Sequence, residues 1–228
     1  MTPVDPLAPW QTAWPALLAL GMLSWGAGSV RREVRVDRAL LWILAMALVV
    51  RTVWMPLDRH IFDGHEAEYL DIFLGNKALT RGGPLLYPAH QWITRGLGLV
   101  LRHPGALIGV SLFASLVSIG ATFGWASRIY GRRVGLLAAA ILALWGNHAF
   151  WSSSAYNVVL PHAFSMVALW ALVRLDDGDH LRAWALVAGG AGALAVATRV
   201  ESITWLPMGL VVLGVIRPRE IRRWLPPL

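Results

Sequence analysis

Apolar residues dominate the chain in long runs separated by short charged clusters, and that alternation predicts the elements. Seven stretches approach the roughly 20 mostly apolar residues that a helix needs to cross a bilayer: Thr12 to Val30, Ala39 to Leu57, Ala106 to Ala126, Val134 to Phe150, Val158 to Val173, Ala183 to Thr198 and Ile203 to Ile216. The last three are about a turn short and borrow flanking residues. Helix is the expected state because hydrocarbon offers no partner for an unpaired backbone group. Within the one long polar interval, residues 58–105, Ala67, Leu70, Phe73 and Leu74 recur at helical spacing. Trp92, Ile93, Leu97, Val100 and Leu101 form a weaker stripe. Two amphipathic surface helices joined by a Gly/Pro turn follow from this. The expected fold is therefore all-α: a single membrane domain, 1–228, of about seven spanning helices. Its parts are two helices over 12–57, a loop over 58–105, five helices over 106–216 and a basic tail over 217–228.

Composition agrees with that pattern. The 228 residues are 57% hydrophobic and only 14% charged, whereas a soluble domain carries about 25% charged residues. Disorder is excluded on the same ground. The absence of cysteine removes disulfides, thiol nucleophiles and cysteine-bound metal centres.

A net charge of +7, carried by arginine except for Lys77, suggests an anionic partner until it is sorted along the chain. Placing Arg31 to Arg38 in the cytoplasm also puts Arg128, Arg132, Arg133, Arg174, Arg182 and the arginines of the 217–223 segment inside. Thirteen of the 20 basic residues thereby become topological anchors. The 58–105 loop falls on the non-cytoplasmic face with Arg59, Lys77, Arg81, Arg95 and Arg102. Arg199 joins them there, and Arg51 sits near the outer end of the second helix. Trp10, Trp54, Trp92, Trp151, Trp184, Trp205 and Trp224 fall near the expected interfaces, where amphipathic rings are favoured.

The outer loop concentrates the chemistry. Asp58, Arg59, Asp63, Glu66, Glu68 and Asp71 crowd a chain that otherwise avoids charge. The text Asp63-Gly64-His65-Glu66-Ala67-Glu68-Tyr69, then Leu86-Tyr87-Pro88-Ala89-His90, resembles the first outer loop of GT-C glycosyltransferases. More narrowly it is similar to the bacterial branch with protein O-mannosyltransferase-like, aminoarabinose-transferase-like and rhizobial core-oligosaccharide transferase-like members. Ser152 to Asn157, and Thr198-Arg199-Val200-Glu201, resemble that family's second outer loop and its Thr-Arg/Lys-x-Glu element. The likeness covers about Ala39 to Ile216. There are departures: His65-Glu66 stands where the family often has adjacent Asp-Glu, Pro88-Ala89 replaces a Pro-Pro element, and an extra helix precedes the one that normally leads into the loop. Family members usually continue for several more helices, so the chain is expected to be the front part of a larger enzyme.

The resemblance implies inverting transfer of a sugar from a polyprenyl-phosphate carrier to an acceptor hydroxyl on a glycan, lipid or protein, at the outer face of a bacterial inner membrane. Such a hydroxyl needs a base, and Asp63, supported by Glu66, is the candidate. Asp63 followed by Glu66 also fits an N-cap with its capping-box partner, a role compatible with catalysis. The departing phosphate needs cations, and arginine matches it in two places at once: Arg59, Arg81 and Arg199, with Arg51 and Arg95 in reserve. Glu68, Tyr69, His90 and Asn157 complete the expected substrate-binding set. A divalent cation on Asp63 and Glu66 is a weaker option, and no cofactor is otherwise required. His60, His65, His90 and His103 lack a metal-binding spacing such as H-E-x-x-H; His148 and His162 flank the second outer loop. No nucleic-acid partner is expected. The competing functions are a non-catalytic or truncated scaffold and, less in keeping with so few mid-membrane charges, a transporter.

Overall fold

The computed structural model describes residues 37–54, 70–72, 74, 88–101, 105–154, 158–175 and 180–204. All secondary structure among the described residues is helical: α1 (Arg38–Trp54), α2 (Pro88–Leu101), α3 (Gly105–Tyr130), α4 (Arg132–Leu144), α5 (Gly146–Ser152), α6 (Val159–Val173), α7 (Leu181–Thr198) and a 3-10 turn (Val200–Thr204). Two helical segments, Leu107–Tyr130 and Leu181–Thr198, are long and apolar enough to cross a membrane, and α4 with α5 makes a third if the bent pair is one span. The expected runs at Thr12 to Val30 and beyond Thr204 lie outside the described residues. So does most of the first surface helix, of which residues 70–72 and 74 are helical.

Helix α1 starts on its own cap. The Ala39 amide donates to Asp37 Oδ1 at 2.8 Å, satisfying one of the four donors a helix start leaves open. The same carboxylate receives Arg132 Nε at 2.6 Å and Nη2 at 3.1 Å, so the starts of α1 and α4 are joined side by side. Further along, Leu40, Ala47, Ile119, Ala139, Leu142 and Ala143 form one core between α1, α3 and α4. The two helices run parallel, because Arg51 near the end of α1 donates to the Ala143 carbonyl near the end of α4 at 2.8 Å.

Gly131 turns α3 into α4 with φ 89° and ψ 161°, a region open to glycine and closed to side-chain-bearing residues. Without that turn α4 could not return along α3. The return is close: a Cβ on Gly135 would collide with Ser127. At a second close approach, a Cβ on Gly124 would meet the Trp170 indole. Small residues at helix contacts are how apolar helices pack without a water-driven force between them.

Helix α6 lies parallel to α3, with Val159 and Ala163 on Ala114 at one end and Trp170 on Gly124 at the other. Helix α7 returns beside it, burying Trp184, Val187 and Ala188 against Ala171. Trp184, which the charge pattern places near an interface, is 1% exposed. It packs edge-on to Trp170 with centroids 5.5 Å apart, beneath the Arg174 guanidinium at 5.6 Å, a cation–π geometry. Three buried hydroxyls bond back along their own helices, Ser118 to Ala114, Ser165 to Pro161 and Thr198 to Leu194, so these need no partner from lipid.

The apolar run Val134 to Phe150 is not one helix. It breaks at Trp145, which is extended (φ −65°, ψ 110°), and α5 leaves α4 at 61°. Gly146-Asn147-His148 follows the break. Hydropathy averaged over a span does not register such a break, since apolar residues resume on both sides of these three.

Candidate functional site

The break and the ends of α6 and α7 enclose a cavity of about 580 Å³ at the end of the bundle opposite Gly131. The first wall is Trp145, Asn147, His148 and Trp151, from the break and α5. Pro161, His162, Ser165 and Met166 form the second, on α6. The third comes from the turn after α7, with Arg199, Glu201 and Ser202. Size and character suit a small-molecule site, a mostly apolar cleft with a few converging polar groups.

Arg199 is placed by the helix that it ends. Its amide donates to the Ala195 carbonyl at 2.9 Å, and Arg199 itself turns to extended backbone (φ −158°, ψ 113°). Its Nε lies 3.5 Å from Glu201 Oε2, with the two side chains 33% and 54% exposed. A loose, partly wet ion pair of this kind contributes little to stability; its guanidinium can exchange the carboxylate for another oxyanion. Thr198, by contrast, is fully buried and bonded within α7. Of the Thr-Arg-x-Glu element, then, Thr198 is structural and Arg199 and Glu201 face the cavity.

Two histidines line the opposite walls. His148 and His162 meet edge to face with centroids 5.3 Å apart. His148 Nε2 and His162 Nδ1 are both buried without a hydrogen-bond partner among the described residues. Such orphans are uncommon in folded proteins and call for an explanation.

Behind His148 stands Arg51, which the sequence suggests only as a reserve phosphate ligand near a helix end. It is 1% exposed and does not line the cavity. Its guanidinium donates to Ser115 Oγ, to the Ala47 carbonyl at 3.1 Å and to the Ala143 carbonyl at 2.8 Å, and Nη2 meets His148 Nδ1 at 2.8 Å. The break leaves the last carbonyls of α4 without helical partners, and Arg51 takes one of them. It thereby staples α1, α3 and both sides of the break.

His90 sits elsewhere. It is 6% exposed in the first turn of α2, where Ala89 packs on Leu194 of α7, and its Nδ1 is 3.5 Å from Thr94 Oγ1. Burial lowers its pKa from 6.5 to about 4, so the ring is neutral at physiological pH. Asp63, Glu66, Arg59, Arg81, Glu68, Tyr69 and Asn157 lie outside the described residues. Among the described residues no three His, Asp or Glu side chains converge in a way that could hold a metal ion. Asn147, Ser165, His148 and His162 are the cavity residues that sequence reasoning passed over or set aside. The interruption of an apolar run by Gly146-Asn147-His148 was the available signal.

Residues 84–226 match the sequence profile of a family described as dolichyl-phosphate-mannose-protein mannosyltransferase. No curated protein and no solved structure matches the chain. The matched stretch contains α2 to α7 and every residue that lines the cavity.

Proposed function

Because the chain belongs to the dolichyl-phosphate-mannose-protein mannosyltransferase family, whose members are membrane glycosyltransferases of GT-C type, we propose that it transfers a sugar from a polyprenyl-phosphate carrier to an acceptor hydroxyl on the non-cytoplasmic face. The observation that carries this reading is the position of Arg199, a cation with an exchangeable partner, on a cavity at one end of the bundle.

In the proposed step the acceptor oxygen attacks the anomeric carbon from the face opposite the phosphate, which inverts the configuration. The hydroxyl proton passes to Asp63, and the carbon–oxygen bond to phosphate breaks with its electron pair staying on the phosphate. Arg199, with Arg59 and Arg81, stabilises that developing charge. Glu66 supports Asp63, and Glu68, Tyr69 and Asn157 orient the sugar. His90, buried at the start of α2, is the remaining member of the proposed substrate-binding set.

The proposed reading sets the protein in a bacterial inner membrane, with about seven spanning helices and the site facing the periplasm. The test is a transfer assay with a panel of polyprenyl-phosphate sugars, comparing the unaltered chain with Asp63→Asn. Loss of a general base is worth about 10²- to 10⁴-fold in rate, and the variant is expected to lose that much. Transfer undiminished by Asp63→Asn would remove Asp63 from the mechanism, and no transfer from any donor would overturn the reading.

A further inference from the structure

We infer that Arg51 is a positioning residue that fixes His148 as a neutral Nε2–H donor, aimed at an anionic oxygen of a ligand in the cavity. The argument begins with what a guanidinium can do. It carries donors and no acceptor, and it stays charged under all ordinary conditions. Where Arg51 Nη2 meets His148 Nδ1 at 2.8 Å, Nδ1 must therefore supply the lone pair. A neutral imidazole holds one ring proton, which this contact assigns to Nε2. A second proton on Nδ1 would set one N–H against another, beside a fixed positive charge. While Arg51 stays in place, His148 is neither imidazolium nor the Nδ1–H tautomer.

Two consequences follow. His148 cannot act as a general base through Nε2, because that nitrogen already carries its proton. Instead it offers an N–H, and this N–H is buried with no partner among the described residues on a residue that lines the cavity. None of the four partners of Arg51 among the described residues is a carboxylate, and its charge stands a single imidazole away from the cavity. A donor backed by such a charge selects an anionic oxygen over a neutral hydroxyl, as charge-assisted bonds are the stronger ones. Arg199 faces the same space from the turn after α7. The fitting ligand class is a phosphate ester, and only that choice among anions rests on the function proposed above.

The test uses the whole chain in phosphatidylcholine nanodiscs with ¹⁵N-labelled histidine. His148→Gln identifies the His148 signals by their loss. The expected spectrum at neutral pH shows His148 with a protonated Nε2 and a pyridine-type Nδ1. An Nδ1–H tautomer or an imidazolium overturns the inference, whether or not any variant folds. Dodecyl phosphate is then titrated in, with inorganic phosphate as a second arm; a downfield move of the Nε2 proton is expected. A response to both probes identifies a site for the phosphate group itself, and a response to dodecyl phosphate alone identifies a lipid-borne phosphate. No response to either overturns the ligand assignment. His148→Phe should weaken dodecyl phosphate binding about tenfold to a hundredfold, the range of a hydrogen bond to a charged group. His148→Gln, which keeps an N–H near the Nε2 position, should retain most of it. Arg51→Met should release the tautomer to a mixture, an outcome that a merely structural arginine would not produce. These readouts involve no sugar transfer, so a wrong tautomer counts against this inference alone, and absent transfer counts against the enzymatic reading alone.

Discussion

Asp37 caps one helix and pairs with the first residue of another. Its Oδ1 accepts the Ala39 amide while Oδ2 accepts Arg132 Nε at 2.6 Å. The Arg132 hydrogen bond holds the carboxyl below its ordinary range. A depressed acid contributes stability above its unfolded value, and that contribution disappears as pH falls through the folded one. Thermal unfolding of the purified protein should therefore show Asp37→Asn less stable than the unaltered chain at neutral pH, with the gap closing in acid. A gap independent of pH would mean that the ion pair contributes nothing and only the cap matters.

Gly131 should not tolerate a side chain. With φ 89° and ψ 161° it occupies a region that costs other residues on the order of 1–3 kcal/mol. Gly131→Ala is expected to lower stability by about that amount with α3 and α4 still helical, measured by denaturant unfolding alongside circular dichroism. An unchanged midpoint would show that the turn relaxes to an ordinary conformation.

His90 predicts a pH dependence of opposite origin to that of Asp37. Above about 6.5 the ring is neutral whether the protein is folded or not, and it contributes no slope. As pH falls from 6.5 to about 4, the unfolded chain takes up a proton that buried His90 refuses, so stability declines. The drop amounts to roughly 3 kcal/mol by pH 4. His90→Gln should flatten that part of the profile, and an unaltered slope in the variant would assign it to another group.

Arg199 should matter to turnover more than to folding, since its charged partner among the described residues is the loosely held Glu201 at 3.5 Å. Arg199→Ala is expected to reduce transfer by about 10²- to 10³-fold, the effect of removing one preorganised charge-stabilising donor. Arg199→Lys should recover part of this, because it restores charge without the fork. Equal melting temperatures for the three proteins would assign the loss to chemistry.

The helices were largely legible because apolar runs and charged breaks mark them directly. The segment read as Ala183 to Thr198 is α7, Leu181–Thr198, and Val158 to Val173 differs from α6 by one residue. Arg199 was legible too, since a charge between two apolar runs is conspicuous. Arg51 was not. At the end of an apolar run it reads as an interfacial anchor, and its burial depends on Ser115, Ala143 and His148, which are 64 or more positions away. The break at Trp145 escaped for a related reason: what stabilises it is a guanidinium from another helix. Nothing in the local text of Val134 to Phe150 contains that partner.

The bent pair of α4 and α5 is short for a membrane span. At about 1.5 Å per residue, the 13 residues of α4 reach roughly 20 Å. The seven residues of α5, inclined at 61°, add only about 5 Å along the same axis. As one span they fall short of the roughly 30 Å hydrocarbon thickness, a mismatch that membranes accommodate by thinning. On the topology proposed above, with the pair as one span, the bilayer is drawn thin beside the cavity. A long-chain carrier could present its phosphate there from the side, with its tail still dissolved in the bilayer.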